Sequence, residues 1–210
     1  MELRKSVASK KLGRRNKPTL KGKPMGTIQS HIATIIHEVQ SVLVAIDEQE
    51  TDRFVAEIVA ARRIVSCGAG RVGMAVRGFS MRLGHLGMTA ATVGDSTAPN
   101  ISEGDLLIVA SGSGETQTIF DLVRIASQNK CRIAAITGNK NSRIAQLAST
   151  VVWLNAPSKT RPVEGINSIQ PMTTLNEQCL TIYFDAVCLK LMEKLDETHE
   201  TMWARHSNLE

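Results

Sequence analysis

The segment Ser111-Gly112-Ser113-Gly114-Glu115-Thr116 sets two serines and two glycines between the apolar run Leu106-Leu107-Ile108-Val109-Ala110 and a helix-like run from Gln117 to Gln128. A buried strand that breaks into such a turn and then starts a helix makes an anion site. Unpaired backbone N–H groups and hydroxyls converge there, where the helix dipole is positive. The pattern points to a phosphate-bearing ligand. A tight strand-to-helix connection with Thr116 as N-cap would use some of the same residues, but it needs fewer serines and glycines than stand here.

A second loop, Gly68-Ala69-Gly70-Arg71-Val72-Gly73, satisfies the GxGxxG dinucleotide pattern after a strand-like run, with Asp95 about 20 residues further on as the ribose-binding acid of that reading. A dehydrogenase built on this loop leaves the serine-rich loop without a task, and Asp95 follows Gly94 in a turn-like stretch. Neither loop ends in Gly-Lys-Ser/Thr, which excludes a kinase-type P-loop.

The elements that position these loops are readable. Ile28, Ile32, Ile35, Ile36, Val39, Val42, Leu43 and Ile46 recur at three- and four-residue steps and predict an amphipathic helix. Phe54, Val55, Ile58 and Val59 predict a second helix, with Thr51 as its cap. Short apolar runs at 64–67, 89–93, 106–110, 133–137 and 151–154 then alternate with helix-like segments around 73–86, 117–128 and 142–148. That alternation predicts an α/β fold: a three-layer α-β-α sandwich around a five-stranded, doubly wound parallel sheet. Ligands of such sheets sit at the carboxyl ends of the strands, where both glycine loops fall.

The chain has 210 residues, 42% of them apolar and 21% charged, which suits a globular domain. No apolar run approaches the roughly 20 residues of a membrane span. Cys67, Cys131, Cys179 and Cys188 show no CxxC pairing, and no His/Asp/Glu cluster has metal-ligand spacing. A reducing cytoplasm, no cofactor and catalysis without metal are the expectations. The net charge of +5 is local: residues 1–24 hold nine Lys/Arg against Glu2 alone, which leaves 16 Lys/Arg against 19 Asp/Glu beyond them. This segment has no aromatic residue for base stacking, and Pro18, Gly22 and Pro24 break any amphipathic helix. It reads as a disordered extension rather than a nucleic-acid arm, with a single domain over 25–210 that begins near Met25.

Two glycine-rich loops at two strand ends, the second rich in serine, resemble the sugar isomerase (SIS) domain. Within it, Gly68-Ala69-Gly70-Arg71, Met81-Arg82-Leu83-Gly84-His85-Leu86-Gly87, Gly112-Ser113-Gly114-Glu115-Thr116, Gln170-Pro171-Met172 followed by Glu177-Gln178, and the ending His206-Ser207-Asn208-Leu209-Glu210 resemble the 6-phospho-3-hexuloisomerase family. The likeness spans about residues 26–210. It implies interconversion of D-arabino-hex-3-ulose 6-phosphate and fructose 6-phosphate, in formaldehyde fixation or pentose phosphate supply, by a homotetramer with composite sites. It implies substrate binding by Gly70, Arg71, Val72, Ser111, Gly112, Ser113, Gly114, Glu115 and Thr116. Family members usually carry a serine where this chain has Val72, so one hydroxyl contact is missing. Arg71 suits a phosphate partner or an ordinary surface ion pair equally well.

Moving a carbonyl from C3 to C2 requires removal of a proton beside it, an enediolate, and return of the proton to the neighbouring carbon, and one carboxylate can serve both carbons. Glu177 is the candidate, near the start of a helix predicted over 173–194 and after a long loop from Asn155 to Pro171. A glutamate favoured by the helix dipole would occupy the same place, and the resemblance tips the reading to catalysis. A 3-ketose phosphorylated on O6 cannot close a furanose ring, whereas fructose 6-phosphate can. A ring-opening acid or base therefore matters in one direction only, with His85 and His206 as candidates. A phosphosugar-sensing module and an isomerase of another phosphosugar are the competing functions.

Overall fold

Five short apolar runs form five parallel strands, β1 (Ile64–Gly68), β2 (Ala90–Thr92), β3 (Leu106–Ala110), β4 (Arg132–Thr137) and β5 (Thr150–Trp153), in the spatial order β2-β1-β3-β4-β5. The computed structural model describes residues 26–158 and 161–209, so the expected basic extension 1–24 lies outside the described residues. Among the described residues, seven helices accompany the sheet: α1 (Ile28–Leu43), α2 (Glu48–Val59), α3 (Gly70–His85), α4 (Gln117–Gln128), α5 (Arg143–Leu147), α6 (Thr174–Leu195) and α7 (His199–Trp203). Among the described residues, none of these helices is long and apolar enough to cross a membrane.

The strands alternate their side chains between two cores. Ile64, Leu106, Ile108, Ala134 and Ile136 pack with residues of α1, α2, α3 and α6. Val65, Cys67, Leu107, Val109 and Ile133 pack on the other face with Ile119 and Val123 of α4 and Ile144 of α5. A sheet covered on both faces needs strands that are apolar without interruption, as β3 is, with all five residues buried. Phe54, Phe79 and Phe184 tie α2, α3 and α6 together, the last two rings stacked with centroids 4.2 Å apart.

One buried charge fixes the lower edge of the sheet. Asp105, fully buried before β3, accepts from Arg63 Nη2 at 2.8 Å, Arg62 Nε at 3.0 Å and the Ser102 N–H at 3.0 Å. The Arg63 guanidinium, aided by Arg62 and Ser102 against the opposing effect of burial, holds this carboxyl far below the usual carboxylate range.

Two sequence expectations need correction, and one helix was not expected. Helix α2 starts at Glu48, capped by Asp47, whose carboxylate accepts from Gln49 N at 2.7 Å and Glu50 N at 3.2 Å. Thr51 is buried inside that helix and donates to the Asp47 carbonyl. The apolar period from Phe54 marks the buried face, not the start. Helix α3 begins at Gly70, so most of the GxGxxG segment is its first turn. Helix α7, at the C-terminal end, has no apolar period to announce it.

Candidate active site

Between β1 and β3 the order of the sheet reverses, and the chain leaves these neighbouring strands toward opposite faces. The crevice opened there is where doubly wound sheets bind ligands. A cavity of about 510 Å³ occupies it, walled by the 69–72 turn, the serine-rich loop, Ser158, and the segment from Pro171 to Glu177.

Three helix N-termini meet at this cavity: Gly70–Arg71 of α3, Thr116 before α4, and Thr173–Thr174 at α6. None of the three receives a side-chain cap, whereas α1, α2, α5 and α7 are capped by Thr27, Asp47, Ser142 and Thr198. The uncapped first-turn N–H groups and their dipoles are thus concentrated at one place, which favours an anion. Thr116 stands at the N-cap position but directs its hydroxyl to Ser111 Oγ, 3.0 Å away. The side-chain cap that a plain strand-to-helix connection would draw from Thr116 is therefore not made.

The glycines hold the cradle open. Gly114 has φ +67°, and a Cβ there would lie 2.0 Å from Ser142 Oγ. Its N–H donates to Ser111 Oγ at 3.2 Å. A Cβ on Gly73 would fall 2.5 Å from the Gly68 carbonyl oxygen, so this third glycine of the GxGxxG pattern serves close helix–strand packing. Asp95 is engaged elsewhere: it pairs with Arg77 at 2.9 Å and accepts from Thr92 N at 3.2 Å, which fixes a turn. The dinucleotide reading has no acid left for a ribose.

Glu177 stands in the wall of the same cavity as Ser111 and Ser113. Its Oε2 pairs with Arg71 Nε at 3.0 Å and its Oε1 accepts from Thr173 Oγ1 at 2.7 Å. Two donors from different elements thus fix both oxygens. Its side chain is 13% exposed, enough to meet a ligand in the cavity.

Gly70, Arg71, Val72, Ser111, Gly112, Ser113, Thr116 and Glu177 all line this cavity. Gly114 lies beneath it, buried against Ser142. Glu115 departs from expectation: its carboxylate takes the Arg143 N–H at 3.0 Å and Arg143 Nε at 2.6 Å, and that guanidinium holds its carboxyl below the ordinary value. It fastens the loop to α5 instead of facing the cavity. His85, at the far end of the 16-residue α3, is separated from Gly70 by about 22 Å of helix at 1.5 Å per residue. His206 lies beside it, the rings tilted with centroids 5.2 Å apart, so neither histidine reaches the cavity of its own chain.

Sequence reasoning missed Thr173, Asn176 and Ser158. Asn176 is 3% exposed and packs against Gly112, where an added Cβ would come 3.1 Å from its Oδ1. Its Nδ2 and Ser158 Oγ are buried without a protein partner among the described residues, and both residues belong to the cavity wall. Four-residue spacing from Thr173 to Glu177 was the only available signal.

The sequence pattern of the SIS domain matches residues 57–182. The chain belongs to the SIS domain family. Within that family it stands with the 3-hexulose-6-phosphate isomerases: the Bacillus subtilis protein of that name is 37% identical over 180 residues, covering 86% of this chain and 97% of that one. The Mycobacterium gastri 3-hexulose-6-phosphate isomerase is 38% identical over 183 residues, 87% and 92% of the two chains. A crystal structure from Methanococcus jannaschii, described as inferring the function of 3-hexulose-6-phosphate isomerase, superposes with a TM-score of 0.75 at 27% identity, over 86% of this chain and 99% of that one. The five-stranded parallel sheet and its flanking helices are those of an SIS domain. Helix α1 lies outside the matched segment.

Proposed function

We propose that this chain interconverts D-arabino-hex-3-ulose 6-phosphate and fructose 6-phosphate. The observation that carries the reading is the placement of one carboxylate, Glu177, in the wall of a cavity that also gathers three uncapped helix N-termini and the serine-rich loop. The phosphoryl group binds the main-chain N–H groups at the starts of α3 and α4 and the hydroxyls of Ser111 and Ser113. Glu177 takes the proton from C2 of the 3-ketose. The electron pair then forms the C2–C3 double bond of the enediolate as the C3 carbonyl oxygen becomes an oxyanion; the O2 proton passes to O3, and the same carboxyl returns the carbon-bound proton to C3 as the C2 carbonyl forms. Arg71 and Thr173 hold the carboxylate in place, and the Asn176 amide is suited to donate to an enediolate oxygen.

The active species in this reading is a cytoplasmic homotetramer with composite sites. Apolar side chains on the outer surface support association: Ile32 and Ile36 of α1, Met74 and Met81 of α3, Ile182 and Leu189 of α6. His85 and His206 then assist ring opening of fructose 6-phosphate only from a neighbouring copy. A coupled assay that offers the 3-hexulose 6-phosphate and detects fructose 6-phosphate tests the proposal. Phosphosugar binding without turnover would favour a sensing module instead, and turnover of a different phosphosugar an isomerase of another substrate.

A further inference from the structure

Glu38 lies on α1, outside the matched SIS segment and outside the cavity wall. It is 8% exposed, and its carboxylate gathers three donors from one stretch of the long loop: Ser168 Oγ at 2.6 Å, Ile169 N at 2.8 Å and Gln170 Nε2 at 3.0 Å. A buried carboxylate surrounded by donors alone holds its loop far more firmly than surface contacts do. The chain then makes a corner. Pro171 is followed by Met172 at φ +57°, a left-handed conformation that is costly for a non-glycine residue and persists only when its surroundings enforce it. Immediately beyond come Thr173, whose hydroxyl holds Glu177, and the first turn of α6.

We infer that Glu38 is a positioning residue, a buried clamp that fixes residues 168–170 so that the strained corner presents Thr173 and Glu177 to the cavity. The inference rests on the isomerase reading for its kinetic consequence, though not for its structural one. Burial alone would raise the Glu38 carboxyl, but the Ser168, Ile169 and Gln170 hydrogen bonds, with His37 nearby, bring it below its ordinary value. It therefore stays a pure acceptor at neutral pH. In Glu38→Gln the charge is lost and one acceptor oxygen becomes an NH2, so Ser168 Oγ must turn from donor to acceptor or the Gln170 amide must flip, and the clamp loosens. Phosphate recognition, built on α3 and α4, does not depend on it.

The test uses the full chain. In Glu38→Gln, kcat should fall at least 10-fold, since misplacing a reacting group by 1 Å can cost about 10²-fold. The affinity for glucitol 6-phosphate, a hexitol phosphate that cannot isomerise, should stay within about threefold, because the groups that bind phosphate are untouched. Hydrogen exchange of the Ile169 amide should accelerate. The swap Glu38→Gln with Gln170→Glu, which restores an amide–carboxylate bond across the same gap, should recover most of kcat. If Glu38→Gln fails to fold, Gln170→Leu removes one arm of the clamp without burying a charge and should lower kcat with glucitol 6-phosphate binding kept. Unchanged kcat and Ile169 exchange in the folded variant, or equal losses of kcat and hexitol phosphate affinity, would overturn the inference. Accelerated Ile169 exchange in a protein whose parent does not isomerise would instead sink the isomerase reading and leave the clamp standing.

Discussion

Two alanine substitutions in the glycine loops at the cavity should separate binding from folding. Gly70 and Gly114 both have positive φ, +59° and +67°, but their surroundings differ: nothing lies within 4 Å of a Cβ at Gly70, whereas one at Gly114 would fall 2.0 Å from Ser142 Oγ and 2.9 Å from Thr137 Oγ1. Gly70→Ala therefore incurs only the left-handed backbone penalty, about 1–2 kcal/mol. Its methyl group nevertheless enters the cavity beside the first N–H groups of α3. Gly114→Ala incurs the same penalty, about 1–3 kcal/mol of overpacking, and displacement of Ser142. That hydroxyl caps α5 through Ala145 N at 3.3 Å, and losing such a cap costs about 1 kcal/mol more. The total is about 3–6 kcal/mol, a large share of the roughly 5–15 kcal/mol that stabilises a domain. Urea unfolding followed by circular dichroism, with calorimetric titration of glucitol 6-phosphate, reads both quantities. Gly70→Ala should lose no more than that backbone penalty of about 1–2 kcal/mol and bind the hexitol phosphate at least 10-fold more weakly, the equivalent of losing one charge-assisted hydrogen bond. Gly114→Ala should be much less stable. Equal stability losses in the two variants, or unchanged hexitol phosphate binding in Gly70→Ala, would refute the assignment of the cradle.

The remaining predictions concern the neighbours of that cradle. Arg71→Gln removes the 3.0 Å pair with Glu177 while leaving the fold intact, and should lower kcat/KM by about 10- to 100-fold, consistent with loss of a charge-assisted contact; steady-state kinetics at neutral pH is the check. Val72→Ser restores a hydroxyl to the cavity wall and should tighten hexitol phosphate binding or leave it unchanged, with a large loss of activity indicating a pocket rebuilt around valine. Asp105, whose folded-state carboxyl is depressed by Arg63 and Arg62, contributes stability that is fully present above its unfolded value, about pH 4, and is lost as the pH falls further toward the folded value. Asp105→Ala should cost about 1–3 kcal/mol at pH 7, since the arginines left behind reach solvent, and flatten that acid-side decline, as urea midpoints measured from pH 7 to pH 3 would show.

The sheet, its doubly wound character and the two glycine loops were legible because parallel strands covered on both faces must be apolar throughout, and because turns at their ends need glycine. Gly70 and Gly114 meet that need with positive φ, and Gly73 with close packing on Gly68. Long-range pairing was invisible. Glu115 sits in the ligand loop and so resembles a ligand residue, but its partner Arg143 comes from α5 across the fold. Glu38 reads as one more polar residue on an amphipathic helix, and the three donors that bury it lie 130 to 132 positions away. Asn176 and Thr173 matter only through the docking of α6 beside the serine-rich loop, a tertiary fact with no local signature. The start of α2 escaped the sequence pattern because a burial period tells which face is inside and not where a helix begins. Asp47, a strong cap, carried that information.

The central claim is that Glu177 moves a proton between adjacent carbons of a sugar held by its phosphate. Its most direct test is Glu177→Gln, measured for both turnover of D-arabino-hex-3-ulose 6-phosphate and binding of glucitol 6-phosphate. A general base contributes about 10²–10⁴-fold, so kcat should fall by at least 10²-fold while the hexitol phosphate affinity stays close to that of the parent. Near-normal isomerisation by the Glu177→Gln variant would contradict the account.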